Sequence, residues 1–397
     1  MGYSFHKYWG QTDISTIQSY INLRNNYGVP LWMGESGENS NHWYYEVFKL
    51  LEENNIGWNF WTHKKVDKIT SPYSALVTPQ YQVIIDYLRG VAGQPDPNIA
   101  GMGLTSFANS LKIENCITRP GVIASLTDPD YGEISKPYAT HSIPGTIPAA
   151  YYDIGARGLS YSDSDYWNDG DGGYNDGWVF RNDGVDVEGS DDDPNIPYTV
   201  GWTEAGEWLG YTIEDVLPGT YDVSFSISAP NAGGIFYAQL SGQNLGVIDV
   251  PSTGGWYNWE DIPSQRIEIT EGEKFLKIQI VQAGFNIQSV TFDQVLSIDN
   301  QNLNPDSFFL GKPYPNPFNP SVEMNLLVNN SGTYQVNIHN IKGELINSWD
   351  VIFTQKGNHN IQWNAMNDSG SLVPSGVFFI SVTNQNKSEQ RKVLLLR

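Results

Sequence analysis

Leu31-Trp32-Met33-Gly34-Glu35-Ser36-Gly37-Glu38-Asn39 is an apolar run that ends on a carboxylate bracketed by two glycines. Such a stretch fits a parallel strand that delivers a functional group at its C-terminal end, where barrels of parallel strands carry their chemistry. Gly34 and Gly37 let the backbone turn sharply and keep space open above the Glu35 side chain. Comparable segments flank this one. Upstream lies Phe5-His6-Lys7-Tyr8-Trp9, and downstream lies Ile56-Gly57-Trp58-Asn59-Phe60-Trp61-Thr62-His63-Lys64-Lys65. Between them, Ile14, Ile17, Ile21 and Leu23 recur near helical spacing behind a capping Asp13. Tyr44, Val47, Phe48 and Leu51 form one face of a helix over 41–54, and residues 79–88 read as a third helix. The pattern predicts three strand–helix units.

These segments resemble the last part of a glycoside hydrolase family five catalytic domain, a (β/α)8 barrel with a retaining mechanism. The resemblance implies that Glu35 is the nucleophile, that His6 and Tyr8 are the His-x-Tyr pair of the sixth strand, and that Trp61 stacks on sugar at the end of the eighth. Tyr8 is then expected to donate a hydrogen bond to Glu35 and hold it ionised. The plainer alternatives are a surface carboxylate at Glu35 and a core histidine at His6. Glu38 reads as structural or as a polar subsite contact, and Trp58 as packing on the opposite side of its strand. A retaining glycosidase needs two carboxyl groups about 5 Å apart. The family carries its acid/base in Asn-Glu-Pro, and that tripeptide does not occur in this sequence. Residues 1–130 are therefore expected to be the last three βα units of a truncated barrel with open strand edges, and the chain alone is expected to be inactive.

Composition narrows the partners. A chain of 397 residues implies two to four domains. With 22 basic against 44 acidic side chains the formal charge is -22, which argues against nucleic acid and anionic membranes. It suits neutral polysaccharide or calcium-bearing loops. The 13 Trp and 23 Tyr offer flat faces for sugar rings, or simply aromatic cores. Cys116 stands alone, so no intrachain disulfide can form. No run approaches the roughly 18–20 apolar residues of a membrane span, the first residues lack a signal-peptide pattern, and a monomer is expected.

Residues 131–142, with Lys-Pro and scattered small polar residues, read as a linker. From residue 143 the grammar becomes short alternating strands between Gly, Asp and Asn turns, the mark of a β-sandwich. Ile143-Pro144-Gly145-Thr146, Val179-Phe180-Arg181-Asn182-Asp183-Gly184-Val185-Asp186-Val187-Glu188, Val200-Gly201-Trp202, Ala205-Gly206-Glu207-Trp208-Leu209-Gly210-Tyr211, Thr253-Gly254-Gly255-Trp256 and Phe285-Asn286-Ile287 resemble a carbohydrate-binding module of family six, a jelly roll. The resemblance covers 143–297 and implies that Trp202 and Trp256 sandwich a pyranose while Asn286 fixes its hydroxyls. Trp202 also reads as a core residue at a strand start, and Trp208 and Tyr211 as core or cleft wall. The family holds a structural calcium through an early Glu-Ala-Glu segment and a late Asp. Here the early segment is Pro148-Ala149-Ala150 and Asp293 remains. Asp163, Asp165, Asp169, Asp171 and Asp176 form an acidic Gly-rich loop with oxygen ligands of the right kind, or a set of solvated turns. No cofactor is required.

A second linker is expected over 298–312. Tyr314-Pro315-Asn316-Pro317-Phe318-Asn319-Pro320 and the terminal Lys392-Val393-Leu394-Leu395-Leu396-Arg397 resemble the C-terminal sorting domain of type nine secretion cargo, an immunoglobulin-like sandwich, over 313–397. The expected whole is multidomain: a partial barrel, a jelly roll, then an immunoglobulin-like sandwich. The function expected of it is the C-terminal part of a secreted or surface-held bacterial polysaccharide hydrolase, a cellulase or related β-glucanase or mannanase. Its partners would be β-linked polysaccharide and the type nine secretion machinery. The alternative is a non-catalytic carbohydrate-binding or adhesion protein.

Overall fold

A computed structural model describes residues 2–170, 179–190, 192–295, 308–384 and 387–396. Asp171 and Asp176 of the acidic loop lie outside the described residues. The chain divides into two compact units, Met1–Leu296 and Ser297–Arg397. The protein is multidomain and mostly β-sheet, with five α-helices among the described residues, none long and apolar enough to cross a membrane.

The first unit opens with β1 (Tyr3–His6), β2 (Leu31–Glu35) and β3 (Gly57–Trp58), which pair in parallel in that order. Parallel neighbours need a crossover, and α1 (Gln18–Tyr27) and α2 (Asn41–Glu53) supply it. Leu31 and Met33 point into a core with Phe5, Ile21, Tyr44, Val47, Phe48 and Leu51, while Trp32 between them faces outward, as strand alternation requires. The Ser40 hydroxyl caps α2 by accepting from Trp43 N–H, and α1 ends at Gly28 in the left-handed conformation. Asp13 caps the short turn Ile14–Thr16 that precedes α1. The third strand is shorter than residues 56–61, yet Asn59 and Trp61 still donate backbone N–H groups to Met33 and Ser36. Among the described residues β1 and β3 each have one neighbour, so this sheet is open on both sides.

Three short strands follow as a separate sheet: β4 (Lys64–Val66), β5 (Tyr73–Ala75) and β6 (Ile117–Thr118). The helices α3 (Pro79–Leu88) and α4 (Pro97–Ser110) pack together, with Tyr81 and Phe107 rings stacked at 4.2 Å. Gly103 lets the helices approach, because a methyl there would strike the Gln80 carbonyl. That glycine also weakens the helical signal in the sequence, where α4 carries no clear stripe. Finally α5 (Pro120–Thr127) packs on α2.

The stretch 131–142, expected to be a linker, is docked. Tyr131 and His141 are buried, Lys136 bridges to Ile154, and Ser142–Ile143 pairs in parallel with Asp215–Val216. Its proline and polar content reports turns, and turns can be packed as well as exposed. The jelly roll stacks a seven-stranded sheet, centred on Gly219–Ala229 and Asn286–Gln294, on a five-stranded one centred on Ile235–Leu240 and Lys274–Gln282. Phe225, Ile227, Phe236, Ile278, Val290 and Phe292 fill the space between.

In the second unit, Phe308–Leu310, Val322–Val328 and Gly357–Trp363 form one sheet. Leu345–Phe353, Gly332–Asn340, Gly376–Thr383 and Ser388–Leu395 form the other, all antiparallel. The linker expected over 298–312 falls mostly outside the described residues, and Phe308–Leu310 already belongs to the sandwich through its pairing with Val322–Val328.

Candidate functional site

Two places gather the residues singled out from the sequence. The first is a groove of about 190 Å³ on the jelly roll, lined by Glu188, Trp202, Trp256, Tyr257 and Asn286. Trp202 and Trp256 are 46% and 44% exposed, so neither is a core residue. Trp202 sits at φ +44°, a left-handed backbone that costs a non-glycine residue about 1–3 kcal/mol. Strain of that kind is held where a side chain must be aimed, and here it turns the indole into the groove. Asn286 begins its strand and is 4% exposed. Its Nδ2 donates to the Trp256 carbonyl at 3.2 Å and to Glu188 Oε1 at 3.4 Å. Gly201 packs on the same amide, since a methyl there would sit 2.9 Å from Asn286 Oδ1.

Glu188 and Tyr257 are additions that the sequence reading did not assign. The Tyr257 hydroxyl donates to Glu188 Oε2 at 3.0 Å, and that hydrogen bond to a carboxylate raises the hydroxyl above its ordinary pKa. Trp256 and Tyr257 are adjacent in one strand, yet both line the groove. The register with Gly219–Ala229 slips between Ile227 and Ala229, and a bulge of this kind re-aims side chains. The signal for Glu188 was its place at the end of the Val185-Asp186-Val187-Glu188 alternation. Trp208 lies outside the groove, half-buried with Lys277 Nζ 4.0 Å above its ring, and Tyr211 is core with its hydroxyl on the Ala149 carbonyl.

The second place is the C-terminal end of β2. The Tyr8 hydroxyl donates to Glu35 Oε2 at 2.8 Å, and His6 Nδ1 lies 3.5 Å from the same oxygen. Burial, with the Glu35 hydrogen bond behind it, raises the Tyr8 hydroxyl above its ordinary pKa. The His6 side chain is 53% exposed, so it is not a core histidine. Trp61 is 52% exposed and joined to Thr62 by a cis peptide bond. Gly34 is required by the neighbouring strand: a methyl would lie 2.7 Å from Ser4 Oγ and 3.3 Å from His6 Nε2. Gly37 is required by the Trp61 carbonyl, which a methyl would strike. Glu38 pairs with Lys65 at 3.0 Å, and Trp58 stacks on Phe48 at 4.2 Å as packing.

For calcium, the candidate donors among the described residues do not converge. Pro148 pairs with Ser289 and Gly145 with Phe292, so Ala149–Ala150 and Asp293 lie at opposite ends of that ladder. Asp293 is exposed beside Asp222, which Arg266 already holds through two hydrogen bonds. In the acidic loop Asp163 is buried, and burial with Glu207 next to it pushes its carboxyl up to about 10, while Asp165 and Asp169 face solvent. No group of three or more His, Cys, Asp or Glu side chains among the described residues could hold a metal ion. The residues present do not fit a calcium ion at Asp293.

Two stacked antiparallel sheets make this part of the chain a β-sandwich with an aromatic-rimmed groove. Residues 179–294 match the family model of carbohydrate binding module (family 6), and residues 319–388 match that of the FlgD Ig-like domain. The chain therefore carries a family six carbohydrate-binding domain followed by an immunoglobulin-like domain. It is 31% identical over 100 residues to the clotting factor G alpha subunit of Tachypleus tridentatus; those residues are 24% of this chain and 15% of that protein's length. Among solved structures it is similar to the C-terminal family six module of LamC, a marine laminarinase from Zobellia galactanivorans, at 24% identity and a TM-score of 0.29, covering 38% of this chain and 98% of that one. It is also similar to a β-1,3-glucan-binding family six module from Bacillus halodurans, at 21% identity and a TM-score of 0.28, covering 39% and 99%. A module of Cellvibrio mixtus lichenase 5A in complex with cellotriose gives 20% and 0.28, covering 38% and 98%.

The glycines give a paired expectation. Gly37→Ala should destabilise the first unit by about 1–3 kcal/mol, because backbone must move to admit the methyl. Gly101→Ala in α4, where a methyl meets nothing within 4 Å, should stabilise by up to about 1 kcal/mol. Urea unfolding of both variants checks the contrast.

Proposed function

We propose that the chain binds a neutral β-linked polysaccharide, a glucan or mannan, through the Trp202–Trp256 groove. The observation that carries this reading is the pair of half-exposed indoles rimming a groove whose floor is a buried amide. Indole faces supply apolar area to the C–H side of a pyranose. Asn286 Oδ1 and Glu188 can accept from sugar hydroxyls, and the Asn286 N–H now given to Glu188 at 3.4 Å can turn to a sugar oxygen instead. A net charge of -22 favours an uncharged chain over a uronate or sulfated one. Truncating an anchor of this kind costs about 2 kcal/mol or more, roughly thirtyfold in affinity. Trp256→Ala should therefore weaken cellotriose or laminaritriose binding by at least that factor with little change in melting temperature. Isothermal titration of the full chain reads it, and unchanged affinity would move the sugar site elsewhere.

The first segment is read as the C-terminal part of a retaining glycoside hydrolase of the β-glucanase or mannanase kind. Supporting this is the convergence of Tyr8 and His6 on Glu35 with Trp61 nearby on the adjoining strand end. In that mechanism Glu35 attacks the anomeric carbon, Tyr8 keeps the attacking oxygen oriented, and Trp61 seats the ring. Protonation of the leaving oxygen needs a second carboxyl group about 5 Å away, and no Asn-Glu-Pro supplies it here. The chain as written should release no reducing sugar from β-glucan or mannan. Release that disappears in Glu35→Gln would show that an acid is present after all. A non-catalytic carbohydrate-binding or adhesion protein is the second reading, favoured by that same missing tripeptide.

The immunoglobulin-like domain is proposed as a type nine sorting domain, which would place the protein outside the cell or on its surface. The opening Tyr314-Pro315-Asn316-Pro317-Phe318-Asn319-Pro320 supports this. Deleting the residues from about 306 onward from the full-length parent, in a host with that secretion system, should strand that parent in the periplasm. Unchanged appearance in the medium or on the cell surface would rule the assignment out.

A further inference from the structure

The loop that follows Glu35 does not end in solvent. It runs into the jelly roll. Asn39 is buried, and its Nδ2 donates both to the Tyr8 carbonyl at 3.0 Å and to the Asn168 carbonyl at 2.9 Å. Asn168 N–H returns a bond to Asn39 Oδ1 at 2.9 Å. Asn182 Nδ2 donates to the Asn39 carbonyl at 2.7 Å, and the Asn182 carbonyl accepts from Asn41 N–H at 2.7 Å. Asn41 Nδ2 donates to Asp183 Oδ1 at 2.6 Å. Nearby, Arg157 N–H donates to His42 Nδ1 at 3.2 Å, and Arg119 reaches the Phe180 carbonyl at 3.0 Å. Trp167 of the jelly-roll segment packs against the apolar core of the β1–β3 sheet.

A tethered anchor has a boundary that few contacts cross. This boundary is crossed by a run of buried amides, each of which would lose a partner if the halves parted, and unpaired buried polar groups are costly. Their geometry is directional, so they transmit position as well as adhesion. The path is short: Asn182 holds Asn39, Asn39 holds the backbone of Tyr8, and the Tyr8 hydroxyl holds Glu35.

We propose that the jelly roll is a fixed part of the α/β segment, and that Asn182 and Asn39 are positioning residues through which it sets the Glu35 end of β2. The catalytic meaning of that positioning rests on the nucleophile reading above; the joint itself does not. The carbohydrate module thereby acts as a structural support of the Glu35 strand end, in addition to whatever it binds.

The test uses the full chain labelled with 5-fluorotryptophan, with the resonances of Trp9, Trp61 and Trp256 assigned by single Trp→Phe substitutions. In the unaltered chain Trp61 and Trp256 should lose their native shifts in one thermal transition. Asn182→Ala, a change inside the jelly roll, should shift or broaden Trp9 and Trp61 while leaving Trp256 in place. It should also lower the Trp61 midpoint by about 4 °C or more below that of Trp256. Asn41→Ala attacks the same joint from the other side and should do the same, which keeps the test open if one variant folds poorly. Separate transitions in the unaltered chain, or Trp9 and Trp61 resonances indifferent to both variants, overturn the proposal. Glu35→Gln leaves the shared transition intact, so failure of the nucleophile reading is seen separately in the sugar-release assay.

Discussion

A guanidinium sealed from water must be answered on every side, and the first unit is arranged around one that is. Arg181 is buried, pairs with Asp183 at 2.8 Å, donates to the carbonyls of Tyr152 and Asp153, and lies over the rings of Tyr152 and Tyr138. Asp183 in turn accepts from Asn41 and from the Tyr152 hydroxyl, and its carbonyl takes the Tyr161 hydroxyl. Removing one member of a buried ion pair typically costs about 3–5 kcal/mol, because the other charge is left without an answer. The pair therefore fixes where the 179–183 segment lies, and that segment is the one that meets the start of α2.

From that anchor two faces follow. On one side the segment runs on through Val185 and Val187 into the sandwich core and delivers Glu188 to the groove. On the other it presents amides to the loop after β2. One charged pair thus sits behind both places where sugar chemistry is proposed. The immunoglobulin-like unit has a separate core, in which Trp363 meets Phe318 at a tilt and Phe378 edge to face.

Much of the jelly roll was legible because its strands alternate cleanly and its turns are marked by glycine. Trp202, Trp256 and Asn286, taken from widely separated stretches by resemblance, do meet in one groove. Tyr257 was not legible, since plain alternation after Trp256 would turn it away, and the extra residues between Gly255 and Glu260 that break the alternation show only in the pairing with Gly219–Ala229. In the first segment the strand end at Glu35 and the two flanking helices were readable from period and caps. The helix Pro97–Ser110 was not, because glycines that permit close packing also dilute the pattern. The docking of residues 131–142 was hidden for another reason: composition reports backbone conformation, while burial depends on partners such as Asp215–Val216 that lie far along the chain.

That docked stretch has a consequence for how the protein can be recombined. Sandwich modules are usually treated as cassettes to be cut out at the preceding linker and moved between hosts. A cut here after residue 136 would part Lys136 from Ile154, and a cut anywhere in the stretch would bare Asn182 and Asp183 to water by removing Asn39 and Asn41. The division into compact units falls instead after Leu296. Shuffling by inheritance or by design would then carry the Glu35 strand end and the Trp202–Trp256 groove together as a single heritable block.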